Sequence, residues 1–444
     1  LLMGAASISS DAAYTVDYSC RFDKSTPAYL SYTPGSAGDR RQITMSYWQK
    51  RGDIGGQQIT FQSGSTYWQF GNSSVEQFQI NTDGSGQIVS TRIFRDPNAW
   101  YHFVISFDTE QDVPSNRIRV WVNGIPITNW SSITAPTKDT DLSITNTVAQ
   151  VWGVYGTSTY PMDGYLSQVC MIDGLALKAD SFGEFSNNVW RPIDITGLTF
   201  GTTGYLLDFA DSSALGNDVS GNDNDFSTSG LDSGDQTSDT PTNNHMNFAS
   251  LARGGDADHI ATVSNGGLTT TKSTDKHAGP VTGTAIGGSG KWYCEGKVTN
   301  VTGAKIGICT TTSDWLWDTI ENTLGYYSTA WSLAISDGNK WNNNTSTSYG
   351  SAVSADDVVQ MAIDLDNSKI WWGVNGTFIA SGDPAAGSNE AFSNLTTTDD
   401  YYIAASIQNG GAIEWNFGQL SFAHTPPTGF NAINTNNIAE PTKK

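Results

Sequence analysis

A pair of alternating strands closing on Asn-Gly occurs twice in this chain, and that repetition constrains the fold more than any other feature. The first copy runs Tyr101–Asp108, crosses a polar loop, and continues Arg117–Gly124. The second runs Val358–Asp366, turns tightly, and continues Lys369–Gly376. Aligned on the dipeptide, Ile118, Val120 and Val122 fall on Ile370, Trp372 and Val374. A period of two ending in Asn-Gly reads as a strand entering a hairpin turn. Two such units far apart in sequence predict an all-β chain. The expected fold is two β-sandwiches in series, joined by a polar segment rich in Asp, Gly and Asn.

Size and composition agree with this. At 444 residues the chain is too long for one core. Hydrophobic residues make up only 37%, yet aromatics reach 11% with 15 Trp, which argues against disorder and for thin sandwiches with aromatic cores. The net charge of −21 repels phosphate backbones and anionic lipid, so nucleic-acid binding by bulk electrostatics is not expected. No apolar run is long enough to span a membrane, so membrane insertion is not expected. The opening Leu1–Ala6 has no basic start and no long apolar stretch, and is not read as a signal peptide.

The four cysteines, Cys20, Cys170, Cys294 and Cys309, show no metal-ligand spacing. Cys294 and Cys309 are expected on neighbouring strands but facing opposite sides. Cys20 and Cys170 are expected near the two ends of the first sandwich. Four free thiols are the expectation.

Along the chain, residues 1–204 form the first expected unit. In Trp100–Asp108, Tyr101, Phe103, Ile105 and Phe107 share one face, and His102, Val104 and Ser106 the other, as in the middle strand of a sandwich. Residues 205–289 read as an irregular connection, too polar for a core. Residues 290–425 form the second sandwich, with Thr323–Tyr327 among its expected strands. Residues 426–444 read as a coil-like surface tail.

Several of these residues resemble known families. Ser19–Phe22, Thr44–Trp48, Trp100–Phe103, Val120–Gly124 and Asp163–Ser167 followed by Ile172–Gly174 resemble laminin-G-like, concanavalin-type jelly rolls. Gly290–Glu295, Ile306–Ile308, Leu324–Tyr326, Trp372–Gly376 and Glu414–Gly418 resemble a SPRY domain. The joint, Leu215–Phe226 followed by Asp239–Asn244, and the tail Pro427–Asn437 are similar to large proteins of marine tailed bacteriophages. That last resemblance implies a tail fibre, spike or decoration on the virion surface, assembled in a reducing host cytoplasm. It also implies other virion proteins as partners, with a host-surface glycan or protein as a further one, and a homo-oligomeric state.

Concanavalin-type sandwiches include glycosidases, whose two carboxylates stand about 5 Å or about 6.5–9.5 Å apart. The Glu-x-Asp-x-x-Glu strand of the sandwich glucanases is absent here. Glu295 and Glu414 are expected on nearby strands, in structural roles. No histidine lies near a Gly-x-Ser-x-Gly elbow, no pair has zinc spacing, and no phosphate-cradling Gly-Lys-Ser/Thr loop occurs. The chain is therefore expected not to be an enzyme.

Asp211, Asp218, Asp223 and Asp225 are the candidate calcium ligands, the alternative being Asp side chains that cap turns. Trp315, Trp317, Trp341, Asn342 and Asn343 are the candidate ligand-binding residues, since ring stacking plus polar contacts suits sugars. The alternative is that these tryptophans plug the sandwich ends. Competing readings of the whole are a carbohydrate-binding or glycan-degrading protein and a purely structural capsid ornament.

Overall fold

The computed structural model describes residues 14–71, 76–83, 86–249, 259–317, 322–396 and 398–438. The fold is all-β, and the chain divides after Asn244 into two compact units. The helices among the described residues are short 3-10 turns.

The first unit is a pair of eight-stranded sheets. One runs Ile125–Pro126, Ile118–Val122, Trp100–Asp108, Gln42–Arg51, Gly164–Asp173, Ser19–Phe22, Gln236–Thr237, with Tyr205–Leu207 also on Gly164–Asp173. The other runs Trp130–Thr134, Gly86–Ile93, Gln77–Thr82, Thr66–Phe70, Gln58–Ser63, Gln150–Trp152, Tyr29–Tyr32, Ser227–Ser229. Alternation sends Met45, Tyr47, Phe103, Ile105 and Phe107 inward, where they meet Phe61, Trp68 and Trp152 of the facing sheet. Phe61 stacks on Trp68 at 4.3 Å between centroids, and Trp152 stands edge-on to Tyr47 at 5.2 Å. Each fully buried side chain of Phe size contributes roughly 2–3 kcal/mol relative to exposure. Val104 and Cys170 point the other way, into a second cluster with Phe182, Ile195 and Phe200. Both faces of Trp100–Asp108 are thus covered.

The second unit repeats the plan. One sheet runs Phe248–Ala249, Val281–Thr282, Tyr401–Ser406, Lys305–Thr310, Ala330–Ala334, Lys340–Asn342, Thr345–Thr347. The other runs Thr262–Ser264, Thr269–Thr271, Ala412–Asn416, Lys291–Asn300, Val358–Asp364, Lys369–Val374, Thr377–Phe378, with Asn431–Ala432 added in parallel to Lys291–Asn300. Trp292, Ile306, Trp331, Met361, Trp372 and Trp415 fill the space between them.

The two Asn-Gly turns are geometrically alike. Asn123 and Gly124 have φ of 50° and 75°, and Asn375 and Gly376 have 49° and 85°. Positive φ at both central residues is the type I′ turn, whose twist matches that of paired strands. Val122 then faces Ile125, and Val374 faces Thr377. Each turn Asn also grips the preceding strand. The Asn123 Oδ1 accepts from the His102 N–H at 2.7 Å, and Asn375 Oδ1 from the Val358 N–H at 2.9 Å.

Several expectations are corrected. Residues 205–289 are not an irregular connection: Tyr205–Leu207, Ser227–Ser229 and Gln236–Thr237 extend the first unit, and four short strands between Phe248 and Thr282 extend the second. Their polar composition misled because these strands are only two or three residues long, so the few apolar residues they bury, such as Tyr205, Leu207 and Phe248, are separated by long polar stretches. Cys294 and Cys309 do not lie on neighbouring strands but in opposite sheets, with Cys294 in the core and Cys309 in an outer cluster. Cys20 faces the core of the first unit while Cys170 faces away from it. All four are buried, and none forms a disulfide. Thr323–Tyr327 forms turns rather than a strand. The C-terminal segment is not a surface coil throughout, because Phe430 is buried and Ile433 lies in the core.

Asp239-Thr-Pro-Thr-Asn-Asn244, read as part of the joint, is a polar clamp inside the first unit. Asp239 and Lys50 pair at 2.6 Å, with side chains 1% and 0% exposed. Asp239 Oδ1 accepts from Trp100 Nε1 at 3.0 Å, and Lys50 Nζ also donates to Asn244 Oδ1 at 2.8 Å. Asn244 Nδ2 donates to the Asn98 carbonyl at 2.7 Å. Burial pulls the Lys50 pKa down, and Asp239 opposes that pull. Removing one partner strands the other charge in a buried site, which costs about 3–5 kcal/mol. Asp239→Ala is expected to lower the unfolding free energy of the first unit by that amount in urea titrations. Asp239→Leu combined with Lys50→Met is expected to recover most of the loss.

Candidate functional site

The sequence-selected residues of the second unit are mostly occupied by structure. Trp315 is fully buried with Leu324, Ala330 and Ala404, and its Nε1 donates to the Asn322 carbonyl at 3.2 Å. It packs with Cys309 in the outer cluster of its sheet and not in the core between the sheets. The Trp317 side chain and Asp318 lie outside the described residues. Trp341 is half-buried, with Lys305 Nζ 3.6 Å from its ring centroid. Lys305 also donates to Thr323 Oγ1 at 2.7 Å, and burial pushes its pKa down to about 8. Asn342 Nδ2 donates to the carbonyls of Ser328 and Ala330. Asn343 and Asn344, with φ of 51° and 54°, form an exposed turn between Lys340–Asn342 and Thr345–Thr347. Of the selected residues whose side chains are described, Asn343 is the one that stands in solvent.

The Asp-rich loop uses its carboxylates on its own backbone. Asp218 accepts from the N–H groups of Leu206, Ser220 and Asn224 at 2.8–3.0 Å. Asp225 Oδ1 accepts from the Asp218 N–H at 2.8 Å, and Asp211 Oδ1 from the N–H and hydroxyl of Ser213. Asp223 is exposed, with a φ of 57°. This is turn capping. Among the described residues, no three or more His, Cys, Asp or Glu side chains converge as a metal would need.

Glu295 and Glu414 do lie on paired strands, Glu295 opposite Asn416 and Glu414 opposite Lys297. Glu295 is buried and accepts from Tyr293 Oη, Ala423 N and His424 N at 2.8–2.9 Å, so it ties the 421–424 loop to the sheet. Asp163 is buried beside Asp53, and burial followed by that charge pushes its pKa up to about 7. The Lys24 ammonium pairs with Asp53.

His102 lies between two indoles, 4.6 Å from Trp48 and 6.0 Å from Trp190. Trp190 Nε1 donates to His102 Nδ1 at 2.9 Å, so the proton sits on Nε2 and is given to Ser46 Oγ at 2.9 Å. Burial pushes its pKa down to about 3.

Sequence reasoning missed an open groove of about 490 Å³ on the outer face of the first unit's second sheet. Its lining includes Tyr29, Ser31, Gln62, Val151, Thr157 and Ser227, and it contains no charged side chain among the described residues. Gln62, on the strand Gln58–Ser63, is held at both ends of its amide: Oε1 accepts from the Gly156 N–H of the 153–161 loop at 2.6 Å, and Nε2 donates to the Gly64 carbonyl at 3.2 Å. That loop also carries the exposed rings of Tyr155 and Tyr160, and Tyr155 packs edge-on to Tyr67 at 5.5 Å. The wall formed by Ser227–Ser229 lies in the segment read as a connection, which hid the groove. A second depression of about 420 Å³ in the second unit is lined by Gln360, Phe378, Asp383 and His424.

Residues 24–180 match the model of the concanavalin A-like lectin/glucanases superfamily, and residues 291–420 match the SPRY domain. The chain thus contains one domain of each kind in series. No curated protein matches it. Among solved structures, the SPRY domain of human HERC1 is similar at 16% identity, over 36% of this chain and 94% of that one, with a TM-score of 0.29.

The His102 geometry sets a pH dependence. The unfolded imidazole takes up a proton as pH falls through about 6.5, and the buried one does so only near 3. The stability contributed by the neutral ring is therefore intact above about pH 6.5 and falls by ~1.4 kcal/mol per unit below it. His102→Phe is expected to make the first unit about 2 kcal/mol less sensitive to acidification from about pH 8 to about pH 5. Paired urea titrations of the two proteins check this.

Proposed function

We propose that this chain is a non-enzymatic attachment protein, a tail fibre, spike or decoration on the surface of a tailed bacteriophage, holding host-surface material through its sandwich rims and outer faces. A lectin/glucanase-like domain and a SPRY domain in one chain fit a binding role. The observation that carries the reading is how the interiors are used. Trp68, Trp152, Trp331 and Trp372 fill them, and the buried carboxylates Asp218, Asp239 and Glu295 are each held by several donors. What remains for contact is the rims and outer faces, which rigid scaffolds present well. Several copies on one particle would turn weak contacts into firm attachment. Buried thiols outside any disulfide accord with assembly in a reducing cytoplasm.

A glycan-degrading reading needs two facing, unengaged carboxylates. Glu295 is committed to the 421–424 loop and Glu414 is exposed. Gold-labelled antibody is expected to decorate the outside of intact particles, and the purified chain is expected to stay on host cells without releasing sugar from host polysaccharide. Sugar release abolished by one carboxylate substitution would overturn the reading, as would absence from the particle.

A further inference from the structure

The clamp in the first unit brings an amine, a carboxyl and a primary amide to one point. Lys50 Nζ donates to Asp239 Oδ2 at 2.6 Å and to Asn244 Oδ1 at 2.8 Å. Oδ1 is one bond from Cγ, so the amine stands beside the amide carbon, close to the arrangement from which attack proceeds. The other two groups are held from behind. Trp100 Nε1 donates to Asp239 Oδ1 at 3.0 Å, and Asn244 Nδ2 donates to the Asn98 carbonyl at 2.7 Å. Lys50 and Asp239 are buried, and Nζ lies 5.6 Å from the centre of the Tyr165 ring, which packs with Trp48 and Trp100. Such surroundings disfavour both charges and favour passing the ammonium proton to the carboxylate, which leaves a nucleophilic amine. The downward pull of burial on the Lys50 pKa acts in that direction.

We propose that the clamp closes itself covalently: Lys50 Nζ attacks Asn244 Cγ, and an isopeptide bond takes the place of the hydrogen bond. Asp239 carries the protons. It takes one from the Lys50 ammonium, which frees the nitrogen lone pair. The Nζ–Cγ bond forms as the Cγ–Oδ1 π pair moves onto oxygen. Asp239 then gives its proton to Asn244 Nδ2 and takes one from the Lys50 nitrogen. The oxygen pair returns, the Cγ–Nδ2 bond breaks and Nδ2 leaves as ammonia. Atoms and charge balance with one ammonia released, and no other reactant is consumed. Asn244 is the acyl partner because its amide carbon carries no negative charge to repel the amine, and its nitrogen leaves on gaining the one proton Asp239 holds. Asn244 is half-buried, which gives ammonia a way out. The bond joins Gln42–Arg51 to the segment that leaves the first unit, across 194 residues of sequence. A cross-link closing so long a loop opposes unfolding. Closure concerns the chain itself and holds whether or not the attachment reading does. The ion pair described above is the clamp before closure, and the Asp239 and Lys50 substitutions given with it refer to that open form.

The test is intact mass spectrometry of the purified full chain, incubated at neutral pH until its mass is constant. The mass is expected about 17 Da below that of the sequence, the loss of one ammonia. Proteolysis is expected to release a branched peptide joined between Lys50 and Asn244. Lys50→Arg, Asn244→Ala and Asp239→Asn are each expected to keep the full mass. Asp239→Asn is the informative one, since both reacting groups remain and the proton carrier is gone. Circular dichroism identifies the variants that fold, and the mass of the unsubstituted chain decides the matter even if none does. The closed chain is also expected to run faster than Lys50→Arg on a denaturing gel. The proposal is overturned if the unsubstituted chain keeps its full mass, or if a folded Asp239→Asn variant still closes. It is equally overturned if ammonia is lost without a branched peptide, as when Asn244 cyclises on its own backbone. A loss of about 18 Da with the link at Asp239 overturns the assignment of Asn244 as acyl partner.

Discussion

Strand register, held by the two-residue Asn-Gly turn, is the constraint on which the rest depends. A slip of one residue would turn Ile118, Val120 and Val122 out of the first core, and Ile370 and Trp372 out of the second. The turn prevents this in two ways. Its positive φ values fit the strand twist, and its Asn side chain bonds the backbone of the preceding strand. With register set, alternation delivers one face of each central strand to a shared aromatic core. The other face is left to be covered separately, as Val104 and Cys170 are by Phe182 and Phe200.

The polar residues inside the first unit act as locators. Lys50 and Asp239 are far apart in sequence, and their fully buried pair fixes the segment that leaves the first unit. An apolar pair of similar volume could be as stable, but it would be less selective about which partner it accepts. His102 works similarly, since its two hydrogen bonds fix the ring between Trp48 and Trp190 and burial keeps it neutral. Neither arrangement presents a group to an outside substrate. The functional reading accordingly moves from the interior to the outer surfaces.

The candidate site was only partly legible in the sequence. Aromatic and Asn side chains in the second unit looked like a recognition loop, but Trp315 is buried in an outer cluster with Leu324 and Ala404 and Asn342 bonds carbonyls of its own unit. Sequence pattern cannot separate a buried tryptophan from a presented one, because both are large, amphipathic and found near turns. The Asp-rich loop was ambiguous for a related reason, since a carboxylate that caps a turn and one that binds calcium occur in the same composition. Backbone direction decided the matter at Asp218, where three N–H groups converge.

Local chemistry alone determined the all-β class, the two sandwiches in series and the central hairpins, because period-two alternation and Asn-Gly turns are properties of neighbouring residues. Strands such as Tyr29–Tyr32, Trp130–Thr134 and Ser227–Ser229 were not legible, since a short or edge strand buries too little to show a pattern. Where the segment 205–289 belongs was settled by pairing across long stretches of chain, as was the position of the Asp239 clamp. The groove was settled in the same way. Tyr29, Gln62, Thr157 and Ser227 meet only because Tyr29–Tyr32 lies between Gln150–Trp152 and Ser227–Ser229, an order of strands that hydrogen bonding between distant segments creates.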